Sequence, residues 1–313
     1  MRLGAASIAP TRLARANHAS DIVVCRSRGV RAAAASTSVD KSAQTPVLIV
    51  SDLDGTMVGN DEYTRSFREF WESSAKPPGS KLVYSTGRSL ESFTKLIETK
   101  SQVMVEPDGL ICAVGTKVFQ PSGDVSRPWV EDAEWTAALD VNWCCDVVTA
   151  AARGAIDACG DDNAHFRPAD EQNRHKVTVG VKDELVNVVE DTIRSACESN
   201  GLEYKIIISG SGGWKFVDCV SAGAGKLESL EYVRKQLGFE LLETVACGDS
   251  GNDILMLSGQ TRCIIVGNAE SELREWANDR VAKGELAVDR VFLAAEREAL
   301  GILQGLSSFG FRG

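Results

Sequence analysis

Two carboxylates two residues apart form the most reactive pattern in this sequence. Asp52 and Asp54 follow the apolar run Val47–Val50, which predicts a buried strand that ends just before them. Ligands of open α/β sheets bind beyond the carboxyl ends of the strands. Because like charges this close repel each other, the pair requires a cation, a proton or a chemical task. On this motif alone, a strand-ending turn with two solvated aspartates is an equal alternative.

Further polar groups follow at the ends of other predicted elements. Thr86 follows a second apolar strand, and Lys226 opens a helical pattern after a stretch of small residues. Asp249 and Asp253 follow another strand, at residues 244–247. A helix N-cap is the alternative role for Thr86. A solvated side chain is the alternative role for Lys226, and it is disfavoured because a cation at a helix N-terminus is electrostatically unfavourable.

Together these motifs resemble the haloacid dehalogenase superfamily of phosphohydrolases, which carries Asp-x-Asp, a Ser or Thr, a Lys and an acidic loop in this order. The resemblance implies that Asp52 is a nucleophile that forms an aspartyl-phosphate. It implies that Asp54 protonates the leaving alkoxide and then activates water. Thr86 would donate a hydrogen bond to the phosphoryl oxygens, and Lys226 would neutralise their charge and hold Asp52.

The same resemblance implies a Mg²⁺ site made of oxygen ligands, which this ion prefers. The ligands would be the carboxylates of Asp52, Asp249 and Asp253 and the backbone carbonyl of Asp54. Asn252 would orient Asp253 or the phosphate. The core residues expected to bind the substrate are Thr86, Gly87 and Asn252.

Several segments resemble more closely the sucrose-6-phosphate phosphatase family, over residues 46–310. They are residues 52–59, 82–90, 113–116, 171–177, 247–253, 266–273 and 295–302. This resemblance implies Mg²⁺-dependent hydrolysis of sucrose 6-phosphate to sucrose and phosphate. The sequence departs from the family at Phe216 and Ser221, where the family usually has an acid and a proline. The identity of the sugar is therefore left open.

Polar residues of an inserted segment are expected, from the same resemblance, to bind the sugar. These residues are Glu171, Gln172, Asn173 and Lys176. Amide and charged side chains supply the donors and acceptors that sugar hydroxyls need. An ordinary polar loop is the alternative.

Three other functions are compatible with these residues. The same chemistry could act on another phosphorylated glycoside or polyol, such as glucosylglycerol phosphate or mannosyl-phosphoglycerate. A phosphomutase could pass the aspartyl-phosphate to a sugar, although the large insertion argues against it. A non-catalytic module that binds sugar phosphates would be free to lose Asp52, Asp54 or Lys226, and all three are present. We therefore expect a phosphoric monoester hydrolase.

The order of strand and helix patterns predicts an α/β fold with an interrupted core. Residues 44–120 and 220–313 are predicted to form a Rossmann-like core of the haloacid dehalogenase type, a mostly parallel sheet flanked by helices. Residues 121–219 are predicted to form an inserted α+β cap domain, because strand patterns at 177–181 and 204–208 enclose a helical periodicity. Such a cap closes over the phosphate site and excludes water.

Composition restricts the partners of the protein. The 313 residues carry a net charge of −10, which disfavours nucleic acid and anionic membranes as partners. No stretch reaches the ~18–20 apolar residues that a membrane span requires. We expect a monomer that binds a small-molecule sugar phosphate. The family resemblance adds a sucrose-phosphate synthase-like enzyme as a candidate protein partner.

The first forty residues differ in composition from the rest. Residues 1–38 contain six arginines and one acid and are rich in Ala and Ser, which is typical of an organelle transit peptide. We assign residues 1–40 to this leader and expect chloroplast localisation. Mitochondrial or cytoplasmic localisation, or a disordered tail without a targeting role, are the alternatives. Nine scattered cysteines without Cys-x-x-Cys spacing indicate small core residues in a reducing compartment.

Overall fold

The computed structural model describes residues 45–124, 127–210 and 212–311. These residues belong to one compact unit, Lys41–Gly313. The predicted leader, residues 1–40, lies outside the described residues. Within the described ranges, no helix is both long enough and apolar enough to cross a membrane.

The described residues form strands and helices that alternate along most of the chain. The strands are β1 Leu48–Ser51, β2 Lys81–Ser85, β3 Gly109–Cys112, β4 Lys117–Asp124, β5 Arg127–Glu131, β6 Ala164–Phe166, β7 Lys176–Lys182, β8 Tyr204–Ser209, β9 Trp214–Ser221, β10 Thr244–Gly248, β11 Arg262–Ile265 and β12 Val291–Leu293. The α-helices are α1 Asp61–Phe70, α2 Leu90–Thr99, α3 Ala133–Leu139, α4 Cys145–Cys159, α5 Val186–Ser199, α6 Lys226–Leu237, α7 Ile254–Leu257, α8 Ser271–Ala282 and α9 Glu298–Ser308.

Eight of the described strands form one large sheet, in the order β12-β11-β10-β1-β2-β3-β4-β5. The pairs from β12 to β3 are parallel, and the pairs β3–β4 and β4–β5 are antiparallel. The predicted mostly parallel sheet is therefore confirmed. Strand β1 lies between β10 and β2, so the three strands that precede the motif residues end side by side.

The central strand is buried because both faces of the sheet are covered, as is usual for parallel sheets. Ile49 belongs to a hydrophobic cluster on one face, with residues of α1 and α9. Leu48 and Val50 belong to a cluster on the other face, with residues of α6 and α8. Successive side chains of β1 point to opposite faces of the sheet, so this apolar strand contributes to the hydrophobic clusters on both faces.

The large sheet continues further along the chain than the predicted core segment. Strand β4 runs through Asp124, and β5 pairs with it antiparallel, so residues up to Glu131 lie in the large sheet. The predicted boundary between residues 120 and 121 therefore falls inside β4. Its last five residues are exposed, so their sequence lacks the apolar pattern by which a strand is recognised. The division of the chain into core and cap domains stays a prediction.

A second sheet has the order β6-β7-β9-β8, and all its pairs are antiparallel. Val177, Val179 and Val181 of β7 pack on one face against residues of α4 and α5. Residues of β7 alternate between the faces, so Lys176 and Thr178 lie on the other face. This arrangement agrees with the predicted α+β insertion, and we call residues 145–221 the cap.

Candidate active site

Asp52 is the first residue after β1 and lies at the carboxyl edge of the large sheet. Its backbone N–H donates to the carbonyl oxygen of Cys247 in the neighbouring strand β10, at 2.9 Å. Its carboxylate is buried, and Oδ1 accepts a hydrogen bond from Lys226 Nζ at 2.7 Å. The predicted nucleophile is thus a buried carboxylate that an ammonium group holds at the edge where ligands of such sheets bind.

Lys226 is the first residue of α6, as its sequence pattern predicts, and its side chain is buried. Besides Asp52, Nζ donates to Asp253 Oδ1 at 2.6 Å and to Asn252 Oδ1 at 3.0 Å. These contacts use all three donors of an ammonium group. Burial alone lowers the pKa of a lysine, but the carboxylates of Asp253 and Asp52 outweigh it and raise the pKa of Lys226 above its ordinary value. Lys226 therefore stays charged.

Asp253 fixes the loop that follows β10. Its side chain is fully buried, and Oδ2 accepts hydrogen bonds from the backbone N–H groups of Asp249 (3.1 Å) and Ser250 (3.2 Å). Its two carboxylate oxygens therefore connect Lys226 to the loop backbone. The short spacing of the acidic loop, which the sequence shows, is what allows one carboxylate to accept from residues three and four positions before it.

Asp52, Asp249 and Asp253 form an acidic cluster in which each offers one carboxylate oxygen, all within 4.8 Å of one another. Burial raises the pKa of Asp52 to about 8, against the lowering effect of Lys226, and the Asp253 carboxylate adds to the rise. Burial and the Asp253 carboxylate raise the pKa of Asp249 to about 6. Three carboxylates share the ammonium group of Lys226, so negative charge exceeds positive charge in this cluster when all three are ionised. A cluster of carboxylate oxygens with excess negative charge fits a divalent cation such as Mg²⁺.

The turn after β1 packs against the acidic cluster. Gly55 has φ +82°, and a Cβ atom there would lie 2.3 Å from Asp249 Oδ2. Only glycine fits both this backbone conformation and this contact. Thr56 Oγ1 donates to Asp249 Oδ1 at 3.0 Å. The turn that carries Asp54 therefore also orients Asp249, which sequence reasoning did not detect.

Asp54 pairs with Arg88, and its carboxylate is not one of the three in the acidic cluster. Arg88 Nε donates to Asp54 Oδ2 at 2.7 Å, and Nη2 donates to Oδ1 at 2.6 Å. This two-pronged contact is the stronger geometry for an arginine–carboxylate pair. It raises the pKa of Arg88 above its ordinary value. The Asp54 side chain is 56% exposed, so the predicted acid and base faces the open side of the site.

Arg88 is a residue to which sequence reasoning assigned no role. It lies two residues beyond Thr86, in the loop that leaves β2, the strand beside β1. The sequence did show an arginine just after a strand that was predicted to lie near the two aspartates. The same position also suits an arginine on the surface of a helix, so the sequence did not indicate a role.

Thr86 and Gly87 follow β2 directly, and both line the cavity described below. Thr86 is buried, its N–H donates to Ile111 O at 2.9 Å, and its Oγ1 accepts from Arg88 N–H at 3.1 Å. The N-cap of α2 is Ser89, whose side chain accepts from Ser92 N–H. The N-cap alternative for Thr86 is therefore wrong, and its hydroxyl shapes the turn that presents Arg88.

A cavity of about 450 Å³ opens above the acidic cluster. Residues of the large sheet's carboxyl edge and of the cap line it: Asp52, Asp54, Thr86, Gly87, Arg88, Ser89, Ser92, Asp170, Glu171, Asp249, Ser250 and Asn252. Seven residues predicted from the sequence, Asp52, Asp54, Thr86, Gly87, Glu171, Asp249 and Asn252, are among them. Arg88 is the cationic side chain among these described lining residues, and five of the others are carboxylates.

The predicted sugar-binding residues of the cap differ in their surroundings. Glu171 lines the cavity and accepts hydrogen bonds from Arg167 Nε (3.0 Å) and Nη2 (2.6 Å). Gln172 binds only cap backbone: its Nε2 donates to the carbonyls of Arg167 and Thr178, and its Oε1 accepts from Thr178 N–H. Gln172 therefore holds the loop that carries Glu171. The sugar-binding roles stay predictions.

Asn173 connects the cap to the large sheet. Its Nδ2 donates to Thr116 Oγ1 at 2.9 Å, and its Oδ1 accepts from His175 N–H at 2.9 Å. Thr116 follows the turn after β3, so this contact joins residues 57 positions apart. The Asn173 amide therefore forms hydrogen bonds at the contact between the cap and the large sheet.

Lys176 lies in a buried polar group on the face of the cap sheet opposite α4 and α5. Its Nζ is 3.5 Å from Asp218 Oδ1, which also accepts from Thr178 Oγ1 at 2.6 Å. Phe216, one of the departures from the family, lies on the same strand as Asp218, and Arg167 stacks on its ring at 4.7 Å. Arg167 thus contacts both the Phe216 ring and the Glu171 carboxylate.

The sequence model of the sucrose-6F-phosphate phosphohydrolase family matches residues 45–310. Sucrose-phosphatase 1 of Nicotiana tabacum is 33% identical over 276 residues, which is 84% of this chain and 59% of the relative. Mannosylfructose-phosphate phosphatase of Agrobacterium fabrum is 28% identical over 84% of this chain and 96% of the relative. The chain thus spans about three fifths of the length of the plant relatives that it matches.

Solved structures agree with the fold. The sucrose-phosphatase of Synechocystis, solved with sucrose and phosphate, has a TM-score of 0.69 and 27% identity, and the match covers 84% of this chain and 98% of that one. A haloalkanoate dehalogenase superfamily phosphatase of Bacteroides thetaiotaomicron has a TM-score of 0.58 and 16% identity, over 88% of this chain and 99% of that one. The second likeness concerns the fold alone.

Proposed function

The chain belongs to the sucrose-6F-phosphate phosphohydrolase family, and we propose from this that it hydrolyses a sugar phosphate monoester, with sucrose 6-phosphate as its substrate. The observation that carries the proposal is that Asp52, held by Lys226, lines a cavity whose wall also includes cap residues. A buried carboxylate beside a cation, open to a polar cavity, suits attack on a phosphorus atom.

The reaction follows two steps. A carboxylate oxygen of Asp52 attacks phosphorus, and the bond between phosphorus and the sugar oxygen breaks, which forms an aspartyl-phosphate. The leaving sugar oxygen takes a proton from Asp54. Asp54 then accepts a proton from water as the water oxygen attacks phosphorus, and the bond to Asp52 breaks. Phosphate and the original Asp52 carboxylate result. Lys226 holds Asp52 for the attack and neutralises charge on the phosphoryl group, and Mg²⁺ held by the acidic cluster would supply further positive charge.

Arg88 connects substrate binding to the state of Asp54. The phosphate of a monoester is an anion that enters a cavity with five carboxylates and competes with Asp54 for the Arg88 guanidinium. A phosphate bound to Arg88 would replace the two hydrogen bonds that Arg88 donates to Asp54. The Asp54 side chain would then be free to turn toward the leaving oxygen, as its role as the acid requires.

The substrate is proposed from relatives and from the cavity. Sucrose-phosphatases are among the similar proteins, and one was solved with sucrose and phosphate. Mannosylfructose phosphate is the second candidate, because the Agrobacterium fabrum relative matches over nearly its whole length. Both candidates are disaccharide phosphates, and both would place their sugar against Glu171 and Asp170 of the cap.

We also propose a location and partners. The arginine-rich, acid-poor composition of residues 1–38 supports a transit peptide and a chloroplast location. The proposed substrate, a disaccharide phosphate, supports an enzyme that synthesises it, a sucrose-phosphate synthase-like enzyme, as a partner. A monomer is proposed for the oligomeric state. Fractionation of plastids and size-exclusion chromatography with light scattering test these points.

Phosphate release by the full chain tests the proposed function. The protein is assayed with and without Mg²⁺ on sucrose 6-phosphate, mannosylfructose phosphate, glucose 6-phosphate and fructose 6-phosphate, with Asp52→Asn as the inactive control. We expect Mg²⁺-dependent release, highest for sucrose 6-phosphate and absent in the control. Preference for mannosylfructose phosphate would favour the second candidate. A folded protein that releases phosphate from none of these esters would refute the proposed function.

A further inference from the structure

The residues that carry Asp54 form a tight turn between β1 and α1. Within it, Gly55 N–H donates to Val58 O at 2.9 Å, and the N–H groups of Met57 and Val58 donate to Leu53 O. We call residues 53–60 the Asp54 turn. Because Arg88 holds only the carboxylate of Asp54, the position of its backbone depends on what holds this turn.

Asn268 holds the Asp54 turn from the far side. Its Nδ2 donates to Gly55 O at 2.7 Å, although the two residues are 213 positions apart. Its Oδ1 accepts from the backbone N–H of Glu298 at 2.7 Å. The amide of Asn268 thus connects the residue after Asp54 to the first residue of α9.

Glu298 holds the other end of the same turn. Its Oε2 accepts from Asn60 N–H at 2.5 Å, and a Cβ atom on Gly59 would lie 2.5 Å from its carboxylate. Its φ is +50°, a conformation that side-chain-bearing residues rarely adopt and that costs free energy. Residues kept in such conformations occur disproportionately at functional sites, where surrounding contacts stabilise them.

The segment around Asn268 also contacts the acidic loop. Glu270 N–H donates to Asp249 O at 2.8 Å, and Glu270 Oε2 accepts from Gly251 N–H at 3.3 Å. One short segment therefore binds the backbone on both sides of the site. Asn268 and Glu298 are not among the described residues that line the cavity, so we assign them no direct contact with the substrate.

We propose that Asn268 and Glu298 are positioning residues that hold the Asp54 turn so that Asp54 reaches the leaving oxygen and the attacking water. The inference rests on the proposed function, because it assigns to Asp54 the acid and base roles. Misplacement of a catalytic group by about 1 Å can cost about 100-fold in rate. The first turn of α9, more than 200 residues after Asp54, then positions the acid without touching the substrate.

The leaving group separates this role from a purely structural one. The p-nitrophenolate ion leaves without a proton, so formation of the aspartyl-phosphate from p-nitrophenyl phosphate does not need Asp54 as an acid. Hydrolysis of the aspartyl-phosphate still needs Asp54 as a base. A misplaced Asp54 therefore leaves the first step intact and slows the second, and the aspartyl-phosphate accumulates.

The test uses the full chain with Mg²⁺, and compares N268A, E298A, E298Q and Q304A with the wild type. Gln304 is the matched control, since it lies on α9 and accepts from the N–H groups of Ala295 and Glu296. Among the described residues its side chain forms no hydrogen bond with the Asp54 turn. We measure the burst of p-nitrophenol, hydroxylamine-trapped aspartyl-phosphate, and kcat and KM for sucrose 6-phosphate.

We expect N268A and E298A to lower kcat for sucrose 6-phosphate about 10- to 100-fold with KM little changed, and to keep the burst and accumulate aspartyl-phosphate. E298Q keeps an acceptor oxygen for Asn60 and should behave like the wild type, as should Q304A. Burst and turnover that fall in proportion, unchanged turnover in N268A, or the same defect in Q304A would overturn the proposal. A wild type without turnover would refute the proposed function instead.

Discussion

Lys226 Nζ lies 2.7 Å from Asp52 Oδ1 and 2.6 Å from Asp253 Oδ1, so one buried cation connects the end of β1 to the loop after β10. The three residues come from parts of the chain 174 and 27 positions apart. Two buried carboxylates are tolerated at this distance because a charged, hydrogen-bonded partner lies between them. The same contact fixes the direction of the proposed nucleophile.

Removal of this cation should destabilise the protein as well as inactivate it. In Lys226→Met, two buried carboxylates lose their partner, and we expect a loss of about 3–5 kcal/mol in the free energy of unfolding. Denaturant unfolding and phosphate release measure the two effects. Lys283→Met is the control, because Lys283 and Asp279 are an exposed helical pair worth about 0.5 kcal/mol or less. Equal stability of the two variants would contradict the importance of the buried contact.

Arg88→Ala should weaken binding of phosphate esters more than it weakens the fold. Arg88 is the cationic side chain among the described residues that line the cavity, and hydrogen bonds to charged groups contribute about 1.5–3 kcal/mol. We therefore expect KM for sucrose 6-phosphate and the inhibition constant of inorganic phosphate to rise about 10- to 100-fold. Arg88→Lys should restore only part of the affinity, since lysine lacks the planar fork. Unchanged inhibition by phosphate in Arg88→Ala would show that Arg88 does not bind it.

Gly55→Ala should disturb the acidic cluster through a steric clash. The new Cβ would lie 2.3 Å from Asp249 Oδ2, so either the Asp54 turn or Asp249 has to move. The control is Gly238→Ala, at the C-cap of α6, where φ is +75° and a Cβ would meet no heavy atom within 4 Å. Both variants adopt an unfavourable φ, so a larger loss of stability and of Mg²⁺-dependent activity in Gly55→Ala isolates the clash. Equal losses in the two variants would mean that the unfavourable φ accounts for the whole effect and that the clash contributes nothing.

The stabilising effect of Mg²⁺ should grow as the pH rises from 5 to 8. The pKa of Asp249 is raised to about 6 and that of Asp52 to about 8, above the ordinary value for Asp. The folded, metal-free protein therefore binds protons that the unfolded chain has released, and its stability from this source falls as the pH rises through these values. Mg²⁺ competes with those protons for the same oxygens.

Thermal unfolding with and without Mg²⁺ measures this dependence. We expect a small Mg²⁺-induced increase in Tm at pH 5 and a larger one at pH 8. Asp249→Asn, which removes one titrating ligand, should reduce the increase at both pH values. An increase in Tm that is larger at pH 5 than at pH 8 would mean that the ion binds elsewhere.

The contact of Asn173 with Thr116 distinguishes two roles for Asn173. If its amide acts at the joint between cap and large sheet, Thr116→Val and Asn173→Ala should lower kcat/KM for sucrose 6-phosphate by similar factors, and the double variant should be no worse than either. If its amide binds the sugar, Asn173→Ala should reduce activity far more than Thr116→Val. Steady-state kinetics of the three variants decide between the roles, and from the observed geometry we expect the first result.

The sequence was sufficient to predict the residues at the strand ends. Asp52, Thr86 and Asp249 each follow a short apolar run, and such runs form buried parallel strands whose carboxyl ends share one edge of the sheet. Lys226 could be placed at a helix start from the small residues before it. These are local patterns, and they determine local structure without knowledge of distant contacts. The pairing of β4 with β5 was missed because the last five residues of β4 are exposed and carry no such pattern.

Only the tertiary structure decided which side chains meet. Arg88 binds Asp54 across 34 positions, Asn173 binds Thr116 across 57, and Asn268 binds Gly55 across 213. A polar residue on a loop could form hydrogen bonds with several other polar residues, and the local sequence does not distinguish among them. The choice among them depends on which loops the packed strands and helices bring within hydrogen-bonding distance. The sequence thus determined the chemical groups of the site, and packing determined their orientation, because side-chain contacts form between loops that only the assembled sheets bring together.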